Sequence, residues 1–127
     1  MTIGLSTPTD QADKRFLVLT GFKPDAALLP ENTLQPRAYQ QNIAEAASRA
    51  NTLVVLPTGL GKTMVAMLVA KARLEKFPKG KVVMLAPTKP LVQQHYETFK
   101  RMMGIKENEI AIMTGETHPE ERSYLWR

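Results

Sequence analysis

TLVVLPTGLGKT, residues 52 to 63, is a short apolar run that breaks into a Gly-rich loop ending on Lys-Thr, and it sets the reading of the whole chain. Leu53 to Leu56 predict a buried strand of a parallel sheet, because four consecutive apolar residues, two of them β-branched, leave no polar face for water. Pro57 ends that strand. The backbone N–H groups from Gly59 to Thr63 can curl around an anion, since Gly59 and Gly61 tolerate positive φ and carry no Cβ to hold a phosphate away. Lys62 then places an ammonium on β/γ-phosphates, and Thr63 offers a hydroxyl to Mg²⁺. The helix starting here aims the positive end of its dipole at the same charge.

Length and composition narrow the class. A chain of 127 residues is at most one domain, large enough to bury a core. It is 43% hydrophobic and 23% charged, which is globular composition. With no cysteine, neither a disulfide framework nor a Cys-based zinc site is available. The N-terminus lacks a basic start followed by a long apolar run, and no apolar stretch approaches a membrane span, so a soluble, cytoplasmic protein is expected. Residues 1 to 50 carry five Lys/Arg against five Asp/Glu, whereas residues 51 to 127 carry twelve against seven. The basic excess lies with the Gly-rich loop and the residues C-terminal to it, which suits a polyanionic partner but also serves plain solubility.

Upstream, residues 1 to 14 read as a flexible tail, and Phe16 to Thr20 as a short strand, before Pro24, Pro30 and Pro36 punctuate an irregular segment. From Pro36 to about Ala50 the pattern is helical, with Pro36 at the first helical position and Tyr39, Ile43, Ala46, Ala47 and Ala50 on one face. Arg37 and Gln40 share a side of its first turn. Two readings of this pair stand open. One is a solvated helix face; in the other the Gln40 amide pairs with N6 and N7 of an adenine.

Downstream, Lys62 to about Lys76 predicts a helix with Val65, Met67, Leu68, Val69 and Ala72 inward. Val82 to Ala86 then make a second buried strand and complete a β-α-β unit. Pro87 closes that strand, and Pro90 starts a helix with Leu91, His95, Phe99 and Met102 on one face, capped by Gly104. Thr88 and Lys89 sit at a strand's carboxyl end, where open α/β sheets bind ligands. They read either as a polar connection or as a clamp on a nucleic-acid phosphate. His95 reads as a packing histidine. Glu109 to Met113 predict a third strand, Thr114-Gly115-Glu116 come directly after it, and a further helix begins near Pro119.

PRAYQ, LPTGLGKT and LAPTKPLVQQH, followed by TGE, in this order and spacing resemble the start of the first domain of archaeal Hef-type superfamily 2 helicases. The relatives of the Fanconi-anaemia M translocase have the same form. The resemblance runs from about Gln35 to Arg127 and implies an α/β, RecA-like P-loop NTPase fold: an incomplete parallel sheet with flanking helices over residues 15 to 127. It implies an ATP-dependent DNA helicase or translocase of DNA repair that takes ATP and Mg²⁺. Arg37 and Gln40 would recognise adenine, and Pro57, Thr58, Gly59, Leu60, Gly61, Lys62 and Thr63 would hold the phosphates. Lys62 would be the catalytic charge and Thr63 the Mg²⁺ contact through ATP. Pro87, Thr88, Lys89, Thr114 and Gly115 would contact single-stranded or branched DNA, with RNA the less favoured partner and the remainder of a helicase chain expected.

The departure from that pattern is an acidic box. The chain has no aspartate after Asp25, so no residue beyond the loop can be the metal-holding Asp of the Asp-Glu pair that such helicases carry. Activity of this stretch alone is therefore doubtful, and strands such as Leu53 to Leu56 are expected to be partly unpaired. The alternatives are a non-catalytic nucleotide-binding or interaction module derived from a helicase, and a P-loop kinase or other NTPase, which PTKPLVQQ after the second strand disfavours.

Overall fold

The computed structural model describes Thr2–Ile3, Arg15–Leu19 and residues 35 to 126. The expectations of a tail over 1 to 14 and of an irregular segment around Pro24 and Pro30 fall largely outside the described residues. The elements in order are β1 (Thr2–Ile3), β2 (Arg15–Leu19), α1 (Ala38–Ala47), β3 (Thr52–Leu53), α2 (Lys62–Lys76), β4 (Val82–Leu85), α3 (Lys89–Met103), a 3₁₀ turn (Glu107–Glu109), β5 (Ile110–Thr114) and α4 (Pro119–Trp126). No helix among the described residues is long and apolar enough to cross a membrane.

The strand-and-helix alternation follows the sequence, whereas the ladders do not. β2 lies between β4 and β5 and is antiparallel to both, with Leu17 opposite Met84 on one side and Ile112 on the other. β4 and β5 therefore run in the same direction without pairing to each other. β3 pairs antiparallel with β1, Leu53 opposite Thr2. The expected parallel pairing is thus absent from the described ladders, because an N-terminal strand occupies the space between β4 and β5. The strand expected over Leu53 to Leu56 shortens to Thr52–Leu53. It is covered on one side only: Val54 is buried and Leu56 packs on the α1–α2 contact, while Leu53 and Val55 are 68% and 81% exposed.

α2 is held from two directions, which is why its apolar residues do not form one stripe. Val65 and Val69 meet Ala44 and Ala47 of α1. Met67, Ala70 and Leu74 face the other way, onto Phe99 and Met103 of α3 and Ile110 of β5. Ala72, expected inward, is exposed, and Ala70 and Leu74 take that place.

The other two long helices are rotated relative to the expected faces. In α1 the buried residues are Gln40, Ala44 and Ala47, spaced i, i+4, i+7, while Ala46 and Ala50 are exposed. Arg37 is the N-cap, so Pro36 stands before the helix and not at its first position. In α3 the buried residues are Val92, Phe99 and Met103, with Leu91 exposed. That helix begins at Lys89, placing Pro90 in its first turn, and Thr88 is its N-cap, accepting a hydrogen bond from the Leu91 amide at 3.5 Å. Gly104 caps the other end at φ 62°, the left-handed conformation that glycine adopts without a Cβ penalty.

Phe99 is 1% exposed at the meeting point of α2, α3 and β5. Phe99→Ala should destabilise the chain by about 3–5 kcal/mol, since it removes buried apolar surface and leaves a cavity. A urea titration followed by circular dichroism checks this. A midpoint within error of the parent's would show that the Phe99 cluster is not the core.

Candidate functional site

The loop between β3 and α2 has the backbone that its glycines allow. Gly59 and Gly61 have φ of 85° and 78°, and they and Gly104 are the positive-φ residues among those described. Gly61 is the N-cap of α2, so Lys62 and Thr63 are the first two residues of the helix. Amides in a helix's first turn have no carbonyl of their own helix to bond. Among the described residues none of the loop, turn or cap hydrogen bonds uses the amides of Gly59, Gly61, Lys62 or Thr63 as donor. Successive N–H groups without such a bond, a helix N-terminus and a lysine thus fall together at the head of α2, a combination suited to an anion of several charges.

Gln40 sits against the outside of this loop and is the buried polar residue of the core, at 6% exposure. Its Oε1 accepts from the Arg37 amide at 2.9 Å, as the third helical residue closing back on the N-cap. Its Nε2 donates to the carbonyls of Leu60 at 3.1 Å and Gly61 at 3.4 Å. The Tyr39 hydroxyl donates to the same Leu60 carbonyl at 2.7 Å. Gln40 is therefore not on a solvated face, and its amide is committed to the helix start and the loop backbone. Arg37 itself is exposed at the helix start, next to the loop through Gln40.

A second cluster joins the carboxyl ends of β4 and β5. Pro87, Thr88 and Lys89 are exposed, as is Gly115. The Lys89 ammonium pairs with the Glu116 carboxylate, and this contact brings the 87–89 segment and the turn after β5 together. The turn is organised internally. The Thr114 amide donates to Thr117 Oγ1 at 2.9 Å and the Glu116 amide to Thr114 Oγ1 at 3.2 Å. Arg122 of α4 closes it from outside, Nε donating to the Thr117 carbonyl at 2.8 Å and a terminal nitrogen to the Gly115 carbonyl at 3.4 Å.

Sequence reasoning misses three of these residues. It sees Tyr39 only as part of an apolar face, Glu116 only as a letter of a motif, and Arg122 not at all. A signal for Glu116 exists: an acid two residues past a candidate phosphate contact opposes the charge of the lysine on the neighbouring strand end. His95 is half-buried in α3, and burial lowers its pKa below the ordinary histidine value, in keeping with a packing role. Among the described residues no cluster of His, Asp and Glu could hold a metal by itself. The donor set at the loop, a single threonine hydroxyl beside backbone amides, fits a Mg²⁺ carried on bound phosphates, an ion that is commonly held by few protein ligands.

Comparison with known proteins identifies the family. The model of the DEAD/DEAH box helicases matches residues 37–126. The chain belongs to that family. Membership carries the RecA-like P-loop fold with it. The chain is 46% identical over 100 residues to an archaeal protein of Methanocaldococcus jannaschii named as an ATP-dependent RNA helicase, covering 79% of this chain and 13% of that one. It is 42% identical over 113 residues to the DEAD-box ATP-dependent RNA helicase FANCM of Arabidopsis thaliana, covering 86% of this chain and 8% of the relative. The Fanconi anemia group M protein homolog of Mus musculus is 49% identical over 90 residues, 71% of this chain and 4% of its own. The chain therefore spans a small part of the length of these relatives. No solved structure matches it.

Gly61 tests the loop directly, because its φ of 78° is strained for any L side chain and an added Cβ would run into the Gln40 amide. Gly61→Ala should destabilise the chain by about 1–2 kcal/mol through the left-handed backbone alone. Gly59 has open space around it, so Gly59→Asn, which tolerates the same backbone, should melt close to the parent. Equal melting of Gly61→Ala and the parent would rule out the described loop conformation.

Proposed function

We propose that this chain is the ATP-binding start of a superfamily 2 DNA helicase or translocase of the Hef and Fanconi-anaemia M type, with residues 15 to 127 forming the first part of its RecA-like domain. The observation that carries this reading is the left-handed backbone at Gly59 and Gly61 directly before Lys62 and Thr63 at the head of α2. In the full domain, β3, β4 and β5 would lie in one parallel sheet, with their carboxyl ends forming the ligand-binding edge.

Each residue has a task in this reading. The amides of Gly59, Gly61, Lys62 and Thr63 surround the β- and γ-phosphates, with Pro57, Thr58 and Leu60 setting the entry and crest of the loop, where the Leu60 amide donates to the Pro57 carbonyl at 3.4 Å. Lys62 would neutralise charge on the β- and γ-phosphates, and the Thr63 hydroxyl would hold Mg²⁺, which, when bound, would withdraw charge from the phosphate oxygens. Arg37 and Gln40 lie at the start of α1 for the adenine; the Gln40 N–H groups go to the Leu60 and Gly61 carbonyls, and its Oε1 keeps one lone pair beyond the bond to the Arg37 amide, open to the adenine N6 amino group. Phosphoryl transfer depends on positioning and electrostatic stabilisation, and the acidic box that would complete both is not among these residues. Nucleotide and strand binding, rather than turnover, are the activities expected of the chain by itself.

Pro87, Thr88, Lys89, Thr114 and Gly115 form the strand-binding edge. The Thr88 and Thr114 hydroxyls each accept one backbone N–H and keep their own proton to donate. The Lys89–Glu116 pair is exposed, 56% and 80% by side chain, and such a pair contributes little stability. A phosphate can displace Glu116 from the ammonium at small cost. DNA in preference to RNA rests on relatives named as ATP-dependent DNA helicases, such as Fancm of Drosophila melanogaster, whereas the archaeal and Arabidopsis relatives are named as RNA helicases.

Lys62→Ala should weaken Mg·ADP binding by about 10- to 150-fold, the equivalent of a lost charge-assisted hydrogen bond of roughly 1.5–3 kcal/mol. Calorimetric titration checks it, and unchanged affinity would remove the loop from the nucleotide site. On the strand side, Glu116→Gln should tighten single-stranded oligonucleotide binding by about 1.5- to 5-fold. Lys89→Ala should weaken it and reduce the slope of log affinity against log salt by about 0.7. Fluorescence anisotropy across a salt series measures both, and a weaker Glu116→Gln would show that the acid supports the strand site instead of competing for it.

A further inference from the structure

The Leu60 carbonyl accepts two side-chain hydrogen bonds from consecutive residues of α1, the Tyr39 hydroxyl at 2.7 Å and Gln40 Nε2 at 3.1 Å. A carbonyl oxygen has two lone pairs, so this one is fully engaged by α1. No cis peptide bond is present among the described residues, and in a trans peptide the C=O and the following N–H point in opposite directions. Fixing the Leu60 carbonyl toward α1 therefore fixes the Gly61 N–H away from α1. Gly61 is the residue for which this matters most. With φ at 78° and no Cβ, Gly61 permits rotation of this peptide, and a flip would present the Leu60 carbonyl to an incoming anion in place of an N–H.

We infer that Tyr39 is a positioning residue of the phosphate cradle: its hydroxyl holds the Leu60–Gly61 peptide in the orientation that presents the Gly61 N–H to a phosphate. This rests on the reading of the loop as the nucleotide site. The Gln40 amide does the same from the next residue and also closes back on the Arg37 amide, so it is committed to the helix start as well as to the loop. Tyr39 has only the Leu60 carbonyl as a hydrogen-bond partner among the described residues, and its ring is half-buried beside it. The phenol gives the orientation; the ring gives the hydroxyl a fixed reach. A flip of the peptide would break two hydrogen bonds at once, which makes the cradle preorganised for anions before any nucleotide arrives.

Tyr39→Phe removes the hydroxyl and keeps the ring. In the 127-residue chain, the variant should bind Mg·ADP and Mg·pyrophosphate about 2- to 12-fold more weakly, the range for one net hydrogen bond, while adenosine affinity is unchanged. The change on Mg·pyrophosphate addition in the Gly61 amide resonance of a ¹⁵N-labelled sample should shrink in the variant. A Tyr39→Phe, Gln40→Ala double variant should lose more pyrophosphate affinity than the two single losses combined, since in each single variant the remaining donor still restrains the peptide in part. Unchanged pyrophosphate affinity in Tyr39→Phe overturns the inference, as does a loss shared equally by adenosine, which would mean general damage. Lys62→Ala serves as the separate control. If it too leaves Mg·pyrophosphate affinity unchanged, the loop reading itself has failed; if it alone weakens binding, only the role of Tyr39 falls.

Discussion

A buried side-chain amide cannot be left without partners, and the placement of Gln40 is governed by that constraint. At 6% exposure an unpaired amide would cost about 1–3 kcal/mol, so α1 must start where both ends of the group find hydrogen bonds. The helix start provides this, with Oε1 on the Arg37 amide and Nε2 on the loop carbonyls. Beginning the helix at Ala38 then places Ala44 and Ala47 on the same face as Gln40, against Val65 and Val69 of α2. The small alanines let the two helices approach closely, and close approach is what brings a short glutamine to a backbone carbonyl. Packing and hydrogen bonding support each other here, and neither alone would fix the loop.

The loop is consequently held from its far end as well. α2 carries Gly61 to Thr63 at its head, and its other face is locked by Met67, Ala70 and Leu74 onto α3 and β5. A helix clamped on two sides cannot slide along its axis without disturbing both contacts. The amides at the head of α2 are therefore positioned by the core, and the glycines are held in their left-handed conformation by that frame. Elsewhere apolar side chains are left uncovered, Val55 after β3 at 81% and Leu85 at the end of β4 at 63% exposure. Apolar residues of this kind are complementary to a further layer of sheet or helix.

What could be read from the sequence was what local stereochemistry dictates. Gly59, Gly61 and Gly104 were legible because a left-handed residue at a loop crest or helix end admits few alternatives to glycine. The bounds of α2 were legible for the same reason, since the loop fixes its head. The faces of α1 and α3 were not, because alanines and mixed residues leave several stripes of similar apolarity, and the choice among them was made by Gln40 and by Val92 and Met103. Strand pairing was the least legible. Whether β2 or another strand lies beside β4 depends on contacts some sixty residues away in sequence, where hydrophobic pattern carries no address. Tyr39 and Arg122 escaped notice because their partners are backbone carbonyls, and a carbonyl leaves no mark in the sequence.

The two candidate phosphate sites are stabilised by different physics. Around Leu60 and Gly61 the supporting hydrogen bonds come from neutral donors, Tyr39 and Gln40, one of them buried. At the strand edge the support is an exposed ion pair between Lys89 and Glu116, with Arg122 on backbone carbonyls behind it. Salt weakens interactions between exposed charges and leaves buried neutral hydrogen bonds nearly untouched. A site that must recognise the same phosphates each cycle gains from the first arrangement, because its geometry does not drift with ionic conditions. A site that must grip and release successive phosphates of a strand gains from the second, because a lysine already paired to a carboxylate exchanges one anion for another without passing through an unpaired charge. The division is between a cradle held by neutral hydrogen bonds and an edge held by an exposed ion pair that can exchange its anion.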